Sequence, residues 1–390
     1  MLHLTGIWRD RLLNIMGLPP KRDSDSMMRY FALVADVKSA GLTLTQRQWN
    51  HALTFAATYA AKASTTEMES TMRLWREMER GANVKGNEIT FNILFDVAAK
   101  AGNFALADMI FKEMVNRGFG FNRFHHVSLI FYFGLRLDSG GVRAAYREMV
   151  KAGEMVDTVA LNAVISGLLR CGEEDAANET YQRMRHSQPL FNKVPRPPKD
   201  NSTEKVVSRA LMMFSKLAKT YPSMRINFQA GVDISPNIRT YKLLIEHYAL
   251  RIGSLKHVAQ YLDEMMLAGI RPHPTIFLAI FKAFKWHGGF PGSEWSNEHL
   301  QMMLSAMFQA QKEMKDDFRI EHWIVLWALR AVKKCGSPES VEETFQSLSE
   351  CWTIPEDRVP YTHSFFESIL DGSDEQRAHR SRARRNLGAA

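Results

Sequence analysis

The chain is poor in cysteine and in any run that would suggest a metal, a nucleotide or a membrane. Only Cys171, Cys335 and Cys351 occur in 390 residues. Their number is odd, their spacing is wide and no Cys-x-x-Cys is present. A zinc ribbon and a disulfide framework are therefore excluded, and a reducing compartment fits. The most apolar uncharged stretch, residues 127–135, is far short of the roughly 18–20 residues a membrane-spanning helix needs. There is no glycine-rich phosphate loop and no nucleophile motif. His125 and His126 are adjacent, so on a helix they point in different directions. No metal and no cofactor is expected, and the chain is not expected to be an enzyme.

What is present is apolar bulk and positive charge. Hydrophobic residues make up 45% of the chain, enough for a large core. The formal net charge of +8 suits a polyanionic partner, because excess Lys and Arg set up a long-range attractive field. Residues 1–24 carry Arg9, Arg11, Lys21 and Arg22, and Leu4, Trp8, Leu12 and Ile15 can share one helical face. Two readings stay open there: a mitochondrial presequence, or an N-terminal capping helix.

The chain also repeats itself. FKEMVNRG at 111–118 and YREMVKAG at 146–153 lie 35 residues apart. Met114, Met149 and Met184 keep that interval, as do Phe111, Tyr146 and Tyr181, and Ala107, Val142 and Ala177. The offsets place all of them on one stripe of a helix, helix B of each unit. A helix A precedes it, with Phe91, Leu94, Phe95 and Ala98 at i, i+3, i+4 and i+7. The same offsets recur at His126, Leu129, Ile130 and Phe133, and at Leu161, Val164, Ile165 and Leu168. Gly102 and Gly172 stand between the helices, and Gly118 and Gly153 follow helix B, where a left-handed residue ends a helix. A pair of such helices cannot bury its apolar face alone, so pairs stack.

The pattern extends both ways. A repeat array is expected over 25–192, opening with a lone helix B at 30–41 and stretched by an insertion near 62–67. Residues 193–237 form an insertion after a Pro-rich loop (186–202). It contains one extra helix, at 203–219, with Val207, Leu211, Phe214 and Leu217 as its apolar stripe. A degenerate array follows over 238–356, then a capping helix over 357–371 and a basic tail, expected to be disordered, over 372–390. The opening TYKLLIEHYALRIG carries one extra residue before its glycine. WHGGFPGSEW, at 286–295, is a candidate contact loop.

A helical hairpin of 35 residues resembles the pentatricopeptide repeat family. The best unit is EITFNILFDVAAKAGNFALADMIFKEMVNRGFGFN, residues 88–122. Its TFN opening, KAG turn and closing Asn match the family pattern. TVALNAVISGLLRCG, from 158, is also close. Tetratricopeptide repeats, the main rival, run at 34 residues and carry a Trp-x-x-Leu-Gly signature that is absent here. The resemblance implies an all-α, right-handed superhelical solenoid of stacked helix-turn-helix repeats. It implies single-stranded RNA as partner, one base per unit. One reader follows the aromatic position of helix A and the other closes the unit. The implied pairs are Asn50 with Asn87, Asn92 with Asn122, Val127 with Asp157, and Asn162 with Asn192 or, across the insertion, Asn237. Asn at the first position resembles pyrimidine preference. An apolar residue such as Ile89 or Val159 would flank the base plane.

The later units depart from this pattern, with Lys242, Leu278 and Leu326 at the first position and His273 and Glu356 at the close. They are expected to be scaffold or to dock proteins. Family members with a deaminase-like domain need His-x-Glu and Cys-x-x-Cys, and neither occurs. Two functions therefore stand: an RNA-binding protein of the mitochondrial matrix acting in RNA processing, stability or translation, or a non-catalytic protein scaffold for a mitoribosome or respiratory complex.

Overall fold

The computed structural model describes residues 4–19, 23–57, 64–187 and 201–373. These form nineteen α-helices in two compact units that divide between Ser235 and Pro236. Asn192, most of the 186–202 loop, Lys62 and nearly all of the basic tail lie outside the described residues.

The N-terminal unit holds α1 (Gly6–Met16), α2 (Ser24–Ser39), α3 (Gln46–Ala57), α4 (Thr65–Arg76), α5 (Glu88–Lys100) and α6 (Phe104–Asn116). It continues with α7 (Arg123–Leu135), α8 (Ser139–Lys151), α9 (Thr158–Arg170), α10 (Glu174–His186), α11 (Asn201–Thr220) and α12 (Arg225–Ala230). The starts of α5, α7 and α9 are 35 residues apart, and so are those of α6, α8 and α10. The repeat is thus an α-hairpin, as its periodicity implies, and the unit is an all-α repeat solenoid. Each helix A lies against the next, α3 on α5, α5 on α7 and α7 on α9, and each helix B packs on its own helix A. Ala107, Val142 and Ala177 are fully buried, and Met114, Met149 and Met184 nearly so.

Helix boundaries follow local chemistry. Asn87, Asn122 and Asp157 each cap the helix A that follows them, their side-chain oxygens accepting from backbone N–H groups of its first turn. Such groups have no partner within the helix. The left-handed position between helices is Gly102 and Gly172, both at φ +77°. In the unit between them it is Leu137, at φ +59°. The position after helix B is Gly118 and Gly153, and one repeat earlier Asn83, at φ +53°.

The C-terminal unit holds α13 (Ile238–His247), α14 (Leu255–Leu267), α15 (Pro274–His287), α16 (Asn297–Met314), α17 (His322–Cys335), α18 (Pro338–Ser349) and α19 (Val359–Leu370). Here α13, α15, α17 and α19 pack in series as the helix A layer. The extra residue before Gly253 is absorbed as a π-helical turn, Tyr248–Ile252, at the end of α13, the usual way a helix takes up one inserted residue.

Two expectations are corrected, and a third is narrowed. The helix at 30–41 is not alone: it belongs to α2, which begins at Ser24 and has α1 as its upstream partner. Leu13 of α1 lies in the same core cluster as Tyr30 and Trp49, and Gln48 Nε2 donates to Asp10 at 2.8 Å. The buried stripe of the extra helix is Leu211, Ser215 and Ala218, while Val207 is 44% exposed. That helix docks on Met155, whose N–H donates to Ser215 Oγ at 3.1 Å. In the 286–295 loop Trp295 is core, 2% exposed, with its indole N–H donated to Gly253 O at 2.7 Å. The loop's other two large rings, Trp286 and Phe290, face out.

Candidate nucleic-acid interface

The first turns of α5, α7 and α9 present one surface feature three times. Ile89, Phe124 and Val159, the second residues of these helices, are 52%, 40% and 43% exposed. They are 35 residues apart. Many apolar side chains of this chain are exposed singly; what sets these three apart is that they recur at one place in successive repeats. Phe124 was not singled out from the sequence. Its signal was the interval alone.

Three residues along each helix comes the first expected reader. Asn50 is 7% and Asn162 8% exposed, and Asn92 and Val127 are half-buried. Asn50 and Asn87 meet. Asn50 Nδ2 donates to Asn87 Oδ1 at 3.1 Å, and Thr90 Oγ1 donates to Asn50 Oδ1 at 2.6 Å. Asn87 also donates from Nδ2 to Gln46 Oε1 at 2.9 Å and accepts from Thr90 N at 3.0 Å. The carboxamides of this pair are therefore engaged with the protein.

One repeat on, the arrangement differs. Asn122 caps α7, accepting from Phe124 N at 3.0 Å, and lies 2.9 Å from His125 Nδ1. His125 stands where Thr90 stood, and its other nitrogen faces Glu88 O at 3.3 Å. No hydroxyl reaches Asn92, and Asn92 Oδ1 is buried without a hydrogen-bond partner. The void beside it, lined by Phe95, Phe111, Phe121 and His125, is too narrow for water. An unpaired buried carbonyl is costly.

In the third repeat Asp157 does not face the surface alone. It is 8% exposed, caps α9 at Ala160 N (3.0 Å) and forms a buried ion pair with Arg123, itself 3% exposed. The insertion also covers this connection. Gln229 bonds both the N–H and the C=O of Val156, at 2.9 and 2.7 Å, and Lys219 pairs with Glu154 at 2.7 Å. Asn162 is buried and has a partner of its own. Asn237 caps α13 through Arg239 N and Thr240 N. Of the off-pattern positions, Leu326 is core at 1% exposed, Leu278 is half-buried, and His273 caps α15.

Burial holds the imidazoles of His125 and His126 below the usual range, and Lys219 adds to this for His126. Both ring nitrogens of His126 are buried and unpaired. Among the described residues no group of three or more His, Cys, Asp or Glu is placed to hold a metal ion. No helix there is long and apolar enough to cross a membrane.

A family model described as PPR repeat matches residues 89–119 and 159–188. No curated protein matches the chain. Among solved structures it is similar to the pentatricopeptide repeat protein PPR10 in complex with an 18-nt psaJ RNA element. Identity there is 17% over 95% of this chain and 51% of that one, with a TM-score of 0.43. The chain thus spans about half the length of PPR10. It is also similar to the PPR domain of Arabidopsis thaliana PRORP1 in complex with tRNA, at 17% identity over 52% and 95%, TM-score 0.34. A third is yeast Rmd9p in complex with a 16-nt target RNA, at 10% identity over 93% and 84%, TM-score 0.37.

Proposed function

We propose that this chain, which carries pentatricopeptide repeats at residues 89–119 and 159–188, binds single-stranded RNA along the first turns of α5, α7 and α9. The observation that carries this is the exposed row Ile89, Phe124 and Val159. Apolar side chains at one-repeat spacing can each lie against a base plane, while the residue three further along meets the base edge. Asn92 is the best-placed reader, because a carboxamide offers a donor and an acceptor and its oxygen has no partner within the protein. Asn162 occupies the same place in its repeat, which supports a preference for pyrimidines, while Asn50, there too, is engaged with Asn87 and Thr90. The protein acts without catalysis, in the processing, stability or translation of mitochondrial transcripts. The family resemblance supports that location.

Selection from randomised RNA with the purified chain is the test. Pyrimidine-rich sequences should be enriched, and Asn92→Ala with Asn162→Ala should weaken the selected RNA about tenfold or more, a loss of ~1.4 kcal/mol. Failure to enrich any sequence removes the base-reading claim.

A second reading, a protein scaffold, is favoured by Met266, Leu267 and Met302 on α14 and α16, which are 59%, 86% and 58% exposed. Partners that stay bound after ribonuclease digestion would support it.

A further inference from the structure

The C-terminal unit lacks readers, yet its charge is sorted by layer. α15 and α17 carry five Lys or Arg and no Asp or Glu. On the helix B side, α14, α16 and α18 carry seven acids and two Lys. The α5, α7 and α9 helices show no such bias, with three basic residues against two acids, and one of these three, Arg123, is tied to Asp157.

Tryptophan is interleaved with these cations. Lys282 Nζ lies 5.3 Å from the Trp327 ring centroid, and the Arg330 guanidinium lies 4.9 Å from the same ring and 4.7 Å from that of Phe365. Trp286 meets Trp327 edge to face at 6.1 Å. Trp327 is therefore an anchor that ties α15 to α17 and holds two cations in place. Trp286 and Trp323, one on each helix, are both 51% exposed. Trp323 lies one turn before Trp327 on α17 and Trp286 meets the Trp327 ring, so two half-exposed indoles share a face with the held cations, a surface suited to stacked bases and phosphates, and every base has a face to stack.

We infer that the α15–α17 face is a second single-stranded RNA site, one that holds RNA by stacking on Trp286 and Trp323 and by phosphate contacts to Lys282, Lys285 and Arg330, without reading sequence. Leu278 and Leu326 at the reader positions then cost nothing, because nothing there needs to be read. The inference rests on the chain being an RNA-binding protein. It assigns RNA, rather than a protein, to the part of the chain whose sequence departs furthest from the repeat pattern.

The test uses the full chain and three labelled twelve-nucleotide probes, oligo(A), oligo(C) and oligo(U). Trp286→Ala with Trp323→Ala should weaken all three by a similar factor, roughly tenfold. Most of the fluorescence quenching caused by oligo(U) should go with it. Lys282→Gln with Lys285→Gln should lower the slope of log affinity against log salt by about 1.4, since each phosphate contact on a single strand contributes ~0.7. Asn92→Ala with Asn162→Ala should weaken oligo(C) and oligo(U) more than oligo(A). Melting curves check that each variant folds, and the Lys pair, which removes no ring, keeps the inference falsifiable if the Trp pair does not. Unchanged oligo(A) binding and salt slope in the folded Trp and Lys variants would overturn this site and leave the N-terminal one standing. Retained oligo(A) binding with loss of a ribonuclease-resistant protein partner would assign the face to protein and overturn it too. A wild-type chain that binds none of the probes would refute both sites.

Discussion

Asn50 and Asn87, the two residues expected to read one base together, are hydrogen-bonded to each other, Nδ2 to Oδ1 at 3.1 Å. The same carboxamide of Asn87 caps α5. At this repeat, positions that could recognise a ligand hold the fold. At the next, Asn92 keeps an unpaired oxygen. Equivalent residues in neighbouring repeats thus carry different burdens.

Substitutions should separate the two. Asn87→Ala removes a helix cap and a partner of Asn50, and should lower stability by about 1–2 kcal/mol. Asn92→Ala deletes an oxygen that makes no bond, and should leave stability within about 0.5 kcal/mol of wild type while weakening RNA. Urea unfolding and RNA titration on the same preparations decide it. A large loss of stability in Asn92→Ala would mean that its side chain is structural after all.

Leu137 occupies a left-handed position at φ +59° that Gly102 and Gly172 fill in the flanking repeats. Its side chain is 63% exposed, so little packing is lost on removing it. Left-handed backbone costs a residue with a Cβ ~1–2 kcal/mol, partly offset by the greater freedom of glycine when unfolded. Leu137→Gly should therefore stabilise the chain by about 0.5–1 kcal/mol, seen as a higher urea midpoint at unchanged slope.

Phe121 stacks on Phe111, ring centroids 5.3 Å apart. One repeat later Val156 and Tyr146 stand in their places, and an open-sided cavity of about 520 Å³ lies there, walled in part by Arg225, Gln229 and Ile234 of the insertion. The smaller side chain leaves room that a ring fills elsewhere. Val156→Phe should raise stability by about 0.5–2 kcal/mol, the usual gain from filling a cavity. Thermal unfolding measures it. A lower melting temperature would show that Gln229 and Ile234 cannot yield to the ring.

His125 and His126 titrate below their ordinary value of 6.5 because burial disfavours the charged ring. The unfolded chain therefore binds more protons than the folded one once pH drops below about 6.5. Stability should be full above that value and fall as pH declines through the depressed folded values. His126→Phe removes one such proton and two unpaired nitrogens, so its melting temperature should fall less between pH 7.5 and pH 5 than that of wild type. An equal fall in both proteins would assign the acid sensitivity elsewhere.

Much of the fold was legible in sequence because its determinants are local. A stripe of Ala, aromatic and Met repeated every 35 residues can only be one helix face, and Asn or Asp ahead of it, with Gly behind, marks where the helix starts and stops. Even the surplus residue before Gly253 announced a local distortion, and the π turn is its form. Val207 stays exposed, and this is not legible, because helical periodicity names a stripe without naming what lies against it. Which ring of the 286–295 loop turns inward is not legible either, because a Gly-rich aromatic loop looks the same whether its ring points in or out.

The sequence by itself determined the hairpin, its period and the place of each candidate reader within it. Tertiary structure decided which candidates are spoken for. Whether Asn50 is bonded depends on Thr90, forty residues away, and whether Asn92 is left unpaired depends on His125 standing where a hydroxyl stood before. The sorting of charge between the two helix layers around Trp327 is likewise a matter of assembly. Periodicity is a property of one helix, whereas hydrogen-bond satisfaction and charge density belong to the neighbours that packing brings together.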